Sequence, residues 1–158
     1  MGFEKIILTV GLPASGKTTF CNKYKLLNFH KKVNHIEFDK YRRSKNGLRV
    51  SYDTILLEHI DLNNDKIILI DVLLLKNSDV IDLINLIKAN YNINNTEIEI
   101  HYWDLNREAC LYNDIGRRVI SCESVIKNAP LEELDLDLIK KSTCLNNVNI
   151  FRHKVNRK

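Results

Sequence analysis

A continuous apolar run, a glycine-bearing turn and a helical pattern follow one another at the start of the chain. Residues 5–10, Lys-Ile-Ile-Leu-Thr-Val, are rich in branched side chains, which is typical of a parallel strand covered on both faces. Gly11 ends the run, and over residues 17–27 the apolar positions take helical spacing. The turn therefore joins a buried strand directly to a helix, which favours an α/β fold.

The turn between them has the sequence Gly-Leu-Pro-Ala-Ser-Gly-Lys-Thr over residues 11–18. It fits the pattern G-x-x-x-x-G-K-T of a phosphate-binding loop, or P-loop. Gly11 and Gly16 allow a tight turn whose N–H groups point inward, and the helix that follows adds the positive end of its dipole. The sequence therefore predicts a nest for the phosphates of a nucleoside triphosphate.

Three side chains of this segment have the chemistry that such a nest requires. We expect Lys17 to neutralise the β- and γ-phosphates of ATP or another NTP, and Thr18 to offer its hydroxyl to Mg²⁺. Thr19 lies where a hydroxyl can reach the α-phosphate. The nucleotide-binding residues predicted in this loop are Gly11, Pro13, Ala14, Ser15, Gly16, Lys17, Thr18 and Thr19.

Strand and helix patterns alternate along the rest of the chain. This predicts a parallel sheet of about five strands with helices on both faces, and ligands beyond the carboxyl ends of the strands. We expect a core-facing helical stripe at Phe20, Tyr24 and Leu27, and a helical lid at about 106–130. The predicted further strands are 33–38, 66–71, 98–103 and 148–151; the predicted further helices are 51–62, 79–91 and a stretch over 106–138 with breaks near Gly116 and Pro130.

Composition limits the class of protein. A length of 158 residues suits a single domain, 1–158, and 44% hydrophobic with 28% charged residues is ordinary for a globular protein. No apolar run is long enough to span a bilayer, and the first residues lack a secretory pattern, so we expect a cytoplasmic protein with no membrane partner. The four cysteines have no C-x-x-C spacing and the five histidines form no recognisable ligand set.

An acidic and a basic side chain lie three residues apart just after the second predicted strand. Phosphoryl transfer to a hydroxyl benefits from a carboxylate that accepts the proton and from cations that hold the acceptor. Asp39 and Arg42 can supply both from one side of a helical turn. The chain lacks the Asn-Lys-x-Asp motif of GTPases after its fourth strand, which favours a compact kinase.

Several segments together resemble the 5′-kinase domain of phage-type polynucleotide kinases, within the P-loop kinase superfamily that includes nucleoside monophosphate kinases. The resemblance covers most of positions 5 to 118, and its segments occur in the family's order. They are the loop with its proline and small residues at 5–19, Asp-Lys-Tyr-Arg at 39–42, Ile-Asp at 70–71, and Trp-Asp-Leu-Asn-Arg-Glu-Ala-Cys-Leu-Tyr-Asn-Asp-Ile-Gly-Arg-Arg at 103–118.

The resemblance implies an ATP-dependent phosphotransferase that phosphorylates 5′-hydroxyl ends of DNA or RNA. It implies that Asp39 is the general base, that Arg42 holds an acceptor phosphate with Arg43 beside it, and that Asp71 helps to form the acceptor pocket. Arg117 would close over the donor phosphates. The chain departs from the family at two positions, with Asn113 in place of a first lid arginine and Val72 in place of a threonine after the strand.

The basic run over residues 40–49, with Tyr41 inside it and Tyr52 shortly after, has two interpretations. It can follow a nucleic-acid backbone and stack a terminal base, or it can be a solvated surface. The acceptor also stays open at this level, because a small-molecule kinase or a nucleotide-dependent nucleic-acid binding module that does not turn over would share the P-loop.

Overall fold

The five predicted strands are all present. The structure is a computed structural model, and it describes residues 2–41, 47–117 and 121–157. The central strand is fully buried from its second residue onward, as its continuous apolar run predicts. The strands are β1 (Lys5–Val10), β2 (Val33–Glu37), β3 (Ile67–Asp71), β4 (Glu97–Trp103) and β5 (Val148–His153).

The strands form one parallel sheet in the order β2-β3-β1-β4-β5. Ile6 at the centre lies in register with Ile68 on one side and Ile98 on the other. Because every strand is parallel, all five carboxyl ends meet at one edge of the sheet. The glycine-bearing turn after β1 and the acidic end of β3 are therefore neighbours at that edge.

Helices pack on both faces of the sheet, as predicted. Ile6 and Leu8 face one core, which α2, α3 and α6 cover, whereas Ile7 faces the opposite core beneath α1. A third cluster joins the glycine-bearing turn to α4 and α5. The helices are α1 (Lys17–Leu27), α2 (Tyr52–His59), α3 (Asn77–Asn90), α4 (Arg107–Ile115), α5 (Glu123–Asn128) and α6 (Leu136–Thr143).

Three details differ from the sequence-based expectation. Leu27 is 67% exposed, so the predicted core stripe of α1 is confined to Phe20 and Tyr24. β2 ends at Glu37, because Phe38 begins a single 3₁₀ turn that ends at Lys40. The predicted breaks near Gly116 and Pro130 are confirmed, but the helix after the second break, α6, continues to Thr143, beyond the predicted end of the helical stretch at 138.

Local chemistry explains where α6 begins. The Asp135 carboxylate accepts a hydrogen bond from the backbone N–H of Leu138, which caps the helix. Ile139 is fully buried and faces the larger core, while Lys140 and Lys141 stand in the last turn, where the helix dipole favours positive charge. No helix among the described residues has both the length and the apolar character that crossing a bilayer requires.

We expect Ile139→Ala to lower the free energy of unfolding by about 2–5 kcal/mol, because it removes a fully buried side chain from the contact between α6 and the sheet. The neighbouring Leu138 is 43% exposed, so Leu138→Ala is the matched control, with a change within about 0.5 kcal/mol. Urea denaturation measures both. Equal losses in the two variants would contradict the placement of α6.

Candidate active site

The loop after β1 has the tight backbone that the two glycines predict. Gly16 has a φ of 117°, in the region that favours glycine, and Ala14 adopts a left-handed φ of 61°. A Cβ atom on Gly11 would lie 3.1 Å from Ser15 Oγ and from Trp103 Cβ, which is closer than ordinary contact. The loop is therefore packed against the indole at the end of β4.

Lys17 lies inside this loop and is 8% exposed. Its ammonium group donates hydrogen bonds to the carbonyl oxygens of Gly11 at 2.9 Å and Leu12 at 2.6 Å. Burial lowers the pKa of Lys17 to about 8, although the nearby Asp71 carboxylate opposes that change. A cation that burial has stripped of water gains strongly from an anionic ligand, which is the chemistry expected of the P-loop lysine.

Thr18 and Asp71 connect the start of α1 to the end of β3. The Thr18 hydroxyl donates a hydrogen bond to Asp71 Oδ2 at 3.1 Å, and the His35 ring nitrogen Nε2 lies 3.5 Å from the same oxygen. Burial opposes ionisation of Asp71, but His35, Thr18 and Lys17 together outweigh it and hold the pKa of the carboxyl below its usual value. The carboxylate is therefore charged at neutral pH.

This pairing adds a feature that the sequence analysis missed. Asp71 was expected in the acceptor pocket, with Thr18 as the metal-binding residue, whereas the structure joins the two directly. In P-loop proteins Mg²⁺ is held by the loop threonine and by an aspartate at a neighbouring strand end. An uncharged hydroxyl and an ionised carboxylate are hard oxygen donors that suit this cation, so the residues present fit Mg²⁺.

One side chain of α4 ties this helix to the loop. Asn113 on α4 is buried, and its amide nitrogen donates to the carbonyl oxygens of Ala14 at 3.1 Å and Asn156 at 2.9 Å. It thus fastens α4 to the loop on one side and to the segment after β5 on the other. Asn113, one of the two departures named in the sequence analysis, therefore makes structural contacts in this fold.

Asp114 positions the arginine at the end of the same helix. Its buried carboxylate accepts hydrogen bonds from the Ser121 hydroxyl at 2.8 Å and from the Cys122 backbone N–H at 3.1 Å. The guanidinium nitrogen Nη1 of Arg117 lies 3.6 Å from the Asp114 carboxylate oxygen Oδ1. The guanidinium is therefore held at the cleft while about a third of the side chain stays exposed.

One cavity of about 490 Å³ brings most of the predicted site together. Its walls are formed by residues of the loop, by the Thr18 and Asp71 pair, by the exposed Asp39 from the 3₁₀ turn, and by Arg117 just after α4. Gly11 and Ser15 belong to the loop but do not line the cavity. The lining residues are Pro13, Ala14, Gly16, Lys17, Thr18, Thr19, Asn22, Asp39, Asp71, Val72, Leu73, Asn113, Arg117, Cys122 and Val125.

Not every residue that the sequence analysis singled out falls within the described part of the chain. Arg42 and Arg43, the predicted acceptor-binding arginines, lie outside the described residues, as do Lys45 of the basic run and Arg118.

The two tyrosines considered for base stacking both have ring partners within the chain. Tyr41 lies against His59 with a ring centroid distance of 3.8 Å, and Tyr52 lies edge-on to Phe38 at 4.8 Å. Both side chains are a little over one third exposed. These contacts favour a structural role for the rings in the conformation described.

Comparison with known proteins agrees with the fold. No protein-family model and no curated protein sequence matches the chain. Among solved structures, a fungal RNA kinase matches with a TM-score of 0.65 at 15% identity, over 100% of this chain and 78% of that one. A gluconokinase from Sinorhizobium meliloti 1021 matches with a TM-score of 0.54 at 13% identity, over 100% and 86%. The chain has the α/β fold that these P-loop proteins share.

We expect Lys17→Met to change how stability depends on pH. The folded-state pKa of Lys17 is lowered from 10.5 to about 8, so the folded chain binds fewer protons than the unfolded chain between these values. The free energy of unfolding of the unmodified protein should therefore rise from about pH 8 to about pH 10.5, by at most about 3 kcal/mol. The variant should lack this rise in urea denaturation.

Lys23→Met is the control, because Lys23 is an exposed lysine on the same helix. It should keep the pH profile of the unmodified protein. Parallel pH profiles for the unmodified protein and Lys17→Met would show that Lys17 is not desolvated in the folded chain.

Proposed function

We propose that this chain is a kinase that transfers the γ-phosphate of ATP to the 5′-hydroxyl end of a polynucleotide. The observation that carries the proposal is the shared cavity. A P-loop lysine, an oxygen pair suited to Mg²⁺, an exposed carboxylate and a lid arginine all line the same space of about 490 Å³. Each of these groups has a place in phosphoryl transfer to an alcohol.

The donor half of the site lies between the loop and the lid. Backbone N–H groups of the loop and the N-terminus of α1 bind the phosphates, and Lys17 lies between them as a desolvated cation. Thr18 and Asp71 would hold Mg²⁺, which supplies charge neutralisation for the phosphate oxygens when bound. Arg117, held by Asp114, would add positive charge as the phosphoryl group moves.

The acceptor half lies at the 3₁₀ turn after β2. Asp39 is exposed and lines the cavity, so an incoming hydroxyl can reach its carboxylate. In the proposed reaction the hydroxyl proton passes to Asp39 as the oxygen attacks the γ-phosphorus and the bond to the β-phosphate oxygen breaks. Arg42, with Arg43 beside it, would hold the phosphate that follows the acceptor nucleoside.

Three observations favour a polynucleotide over other acceptors. The order of the four motif segments resembles that of phage-type polynucleotide kinases, and a protein described as a fungal RNA kinase has the same fold over the whole chain. Val72 and the 42% exposed Leu73 provide an apolar wall beside Asp71, which suits the face of a nucleoside.

A small-molecule acceptor is the second candidate. The gluconokinase match shares the fold, and the limited cavity volume suits an acceptor of sugar or nucleoside size. Acceptor choice separates the two candidates directly. Labelled ATP should be incubated with the protein, Mg²⁺ and either a 5′-hydroxyl oligonucleotide or a panel of nucleosides, monophosphates and sugar acids. Transfer to the oligonucleotide is the expected result, and transfer confined to a small molecule would reject the proposal.

In the same assay we expect Asp39→Asn to lose at least ~10²-fold in turnover while ATP binding is kept, since the amide cannot accept the hydroxyl proton. Asp53→Asn is the control, because Asp53 is an exposed aspartate at the start of α2 outside the cavity. It should keep full turnover. Unchanged turnover in Asp39→Asn would remove Asp39 from the reaction.

We expect Arg117→Ala to lower turnover by ~10²–10⁴, the scale associated with arginine stabilisation of a migrating phosphoryl group. Lys127→Ala is the control, because Lys127 is a lid cation that pairs with Glu123 on α5 and does not line the cavity. Single-turnover measurement of label transfer compares the two variants. Equal rates in both would exclude a role for Arg117 in the chemical step.

A further inference from the structure

Three potential metal ligands of different chemistry meet beneath the first turns of α1. Cys21 comes from α1, His35 from β2 and Asp71 from the end of β3. One thiol sulfur, one ring nitrogen and one carboxylate oxygen lie within 4.8 Å of one another. The sequence analysis found no such set, because the three residues are far apart in the chain.

The histidine of this cluster has an unusual environment. Its side chain is 4% exposed, and its buried Nε2 makes no hydrogen bond of ordinary geometry with any residue in the described part of the chain. The nearest carboxylate oxygen, Asp71 Oδ2, is 3.5 Å away, which is long for a hydrogen bond. Buried polar atoms in proteins are nearly always paired, so this nitrogen points to a ligand between it and the carboxylate.

The donor set indicates which ligand. A thiolate and an imidazole select zinc and related transition metals, whereas Mg²⁺ prefers oxygen ligands alone. With bonds of about 2.0–2.3 Å, ligand atoms around tetrahedral zinc lie roughly 3.5 Å apart, so the cluster needs to close by only about 1 Å. Three protein ligands leave a fourth position for water, as in zinc sites that stay open.

We propose that Cys21, His35 and Asp71 form a site for Zn²⁺ or a similar thiophilic divalent cation, and that its occupation blocks the Mg²⁺-dependent use of the cleft. The link is a single atom. Asp71 Oδ2 accepts the hydrogen bond from Thr18 and also faces His35. An ion bound on the His35 side draws this oxygen away from Thr18. The blocking effect rests on the proposed function, whereas the binding site does not.

The binding step is balanced by release of one proton. A metal-bound cysteine is a thiolate, so the Cys21 thiol gives up its proton on binding. When the metal–sulfur bond forms, the S–H bond breaks and the proton passes to solvent. No electron is transferred, and no further reactant is needed.

Cobalt is the probe, because Co²⁺ takes zinc sites and gives a near-ultraviolet charge-transfer band when a thiolate binds it. The full chain should be titrated with Co²⁺ alone, and we expect one equivalent to produce the band and Zn²⁺ to abolish it. Cys21→Ala should lose the band, and His35→Asn should weaken binding on the order of 100-fold. Cys110→Ala is the control, because Cys110 is also buried but lies outside the cluster.

Absence of the band in the unmodified protein, its survival in Cys21→Ala, or an unchanged Co²⁺ affinity in His35→Asn would overturn the site. The second variant keeps the test decisive if Cys21→Ala does not fold.

In a separate experiment, Zn²⁺ should lower the affinity for ATP in excess Mg²⁺ by at least ~10-fold in the unmodified protein, and not in Cys21→Ala. If the band forms but Zn²⁺ leaves ATP binding unchanged, the blocking effect is rejected. The band in a protein without any kinase activity would support the site and reject the proposed function.

Discussion

The hydrogen bond from Thr18 to Asp71 holds together the two oxygen donors of this molecule's site. It joins the first turn of α1 to the end of β3, two elements that only the parallel sheet brings together. The carboxylate stays ionised because His35, Thr18 and Lys17 outweigh the effect of burial on its pKa. A charged oxygen beside a loop of backbone N–H groups makes this edge of the sheet suited to a phosphate with a divalent cation.

Two features at this edge of the sheet lower the stability of the fold, which is common at binding sites. Lys17 is a buried cation whose pKa is lowered to about 8, and Ala14 holds a left-handed backbone that costs a non-glycine residue energy. Trp103 packs against Gly11 and Gly16, and Asn113 ties α4 to the loop through Ala14. These contacts hold the loop in a preorganised shape, so a bound phosphate need not order it.

The sequence was a good guide wherever the signal was local. β1 and β3 are continuous apolar runs, and the loop between β1 and α1 follows its glycines, so these elements were predictable to within a few residues. The bounds of α6 were missed, although the cap at Asp135 is a usable signal for its start. The contacts of Asp71 with Thr18 and His35, and of Asn113 with the loop, depend on residues far apart in the chain and became visible only in the fold.

The central claim is that the loop holds a triphosphate while Asp39 receives an alcohol across the same cavity. A crystal structure with a non-hydrolysable ATP analogue, Mg²⁺ and a short 5′-hydroxyl oligonucleotide tests it most directly. The account predicts phosphates on the loop, the cation at Thr18 and Asp71, and the terminal hydroxyl within hydrogen-bond distance of Asp39. A triphosphate bound elsewhere, or an Asp39 carboxylate directed away from the acceptor hydroxyl, would contradict it.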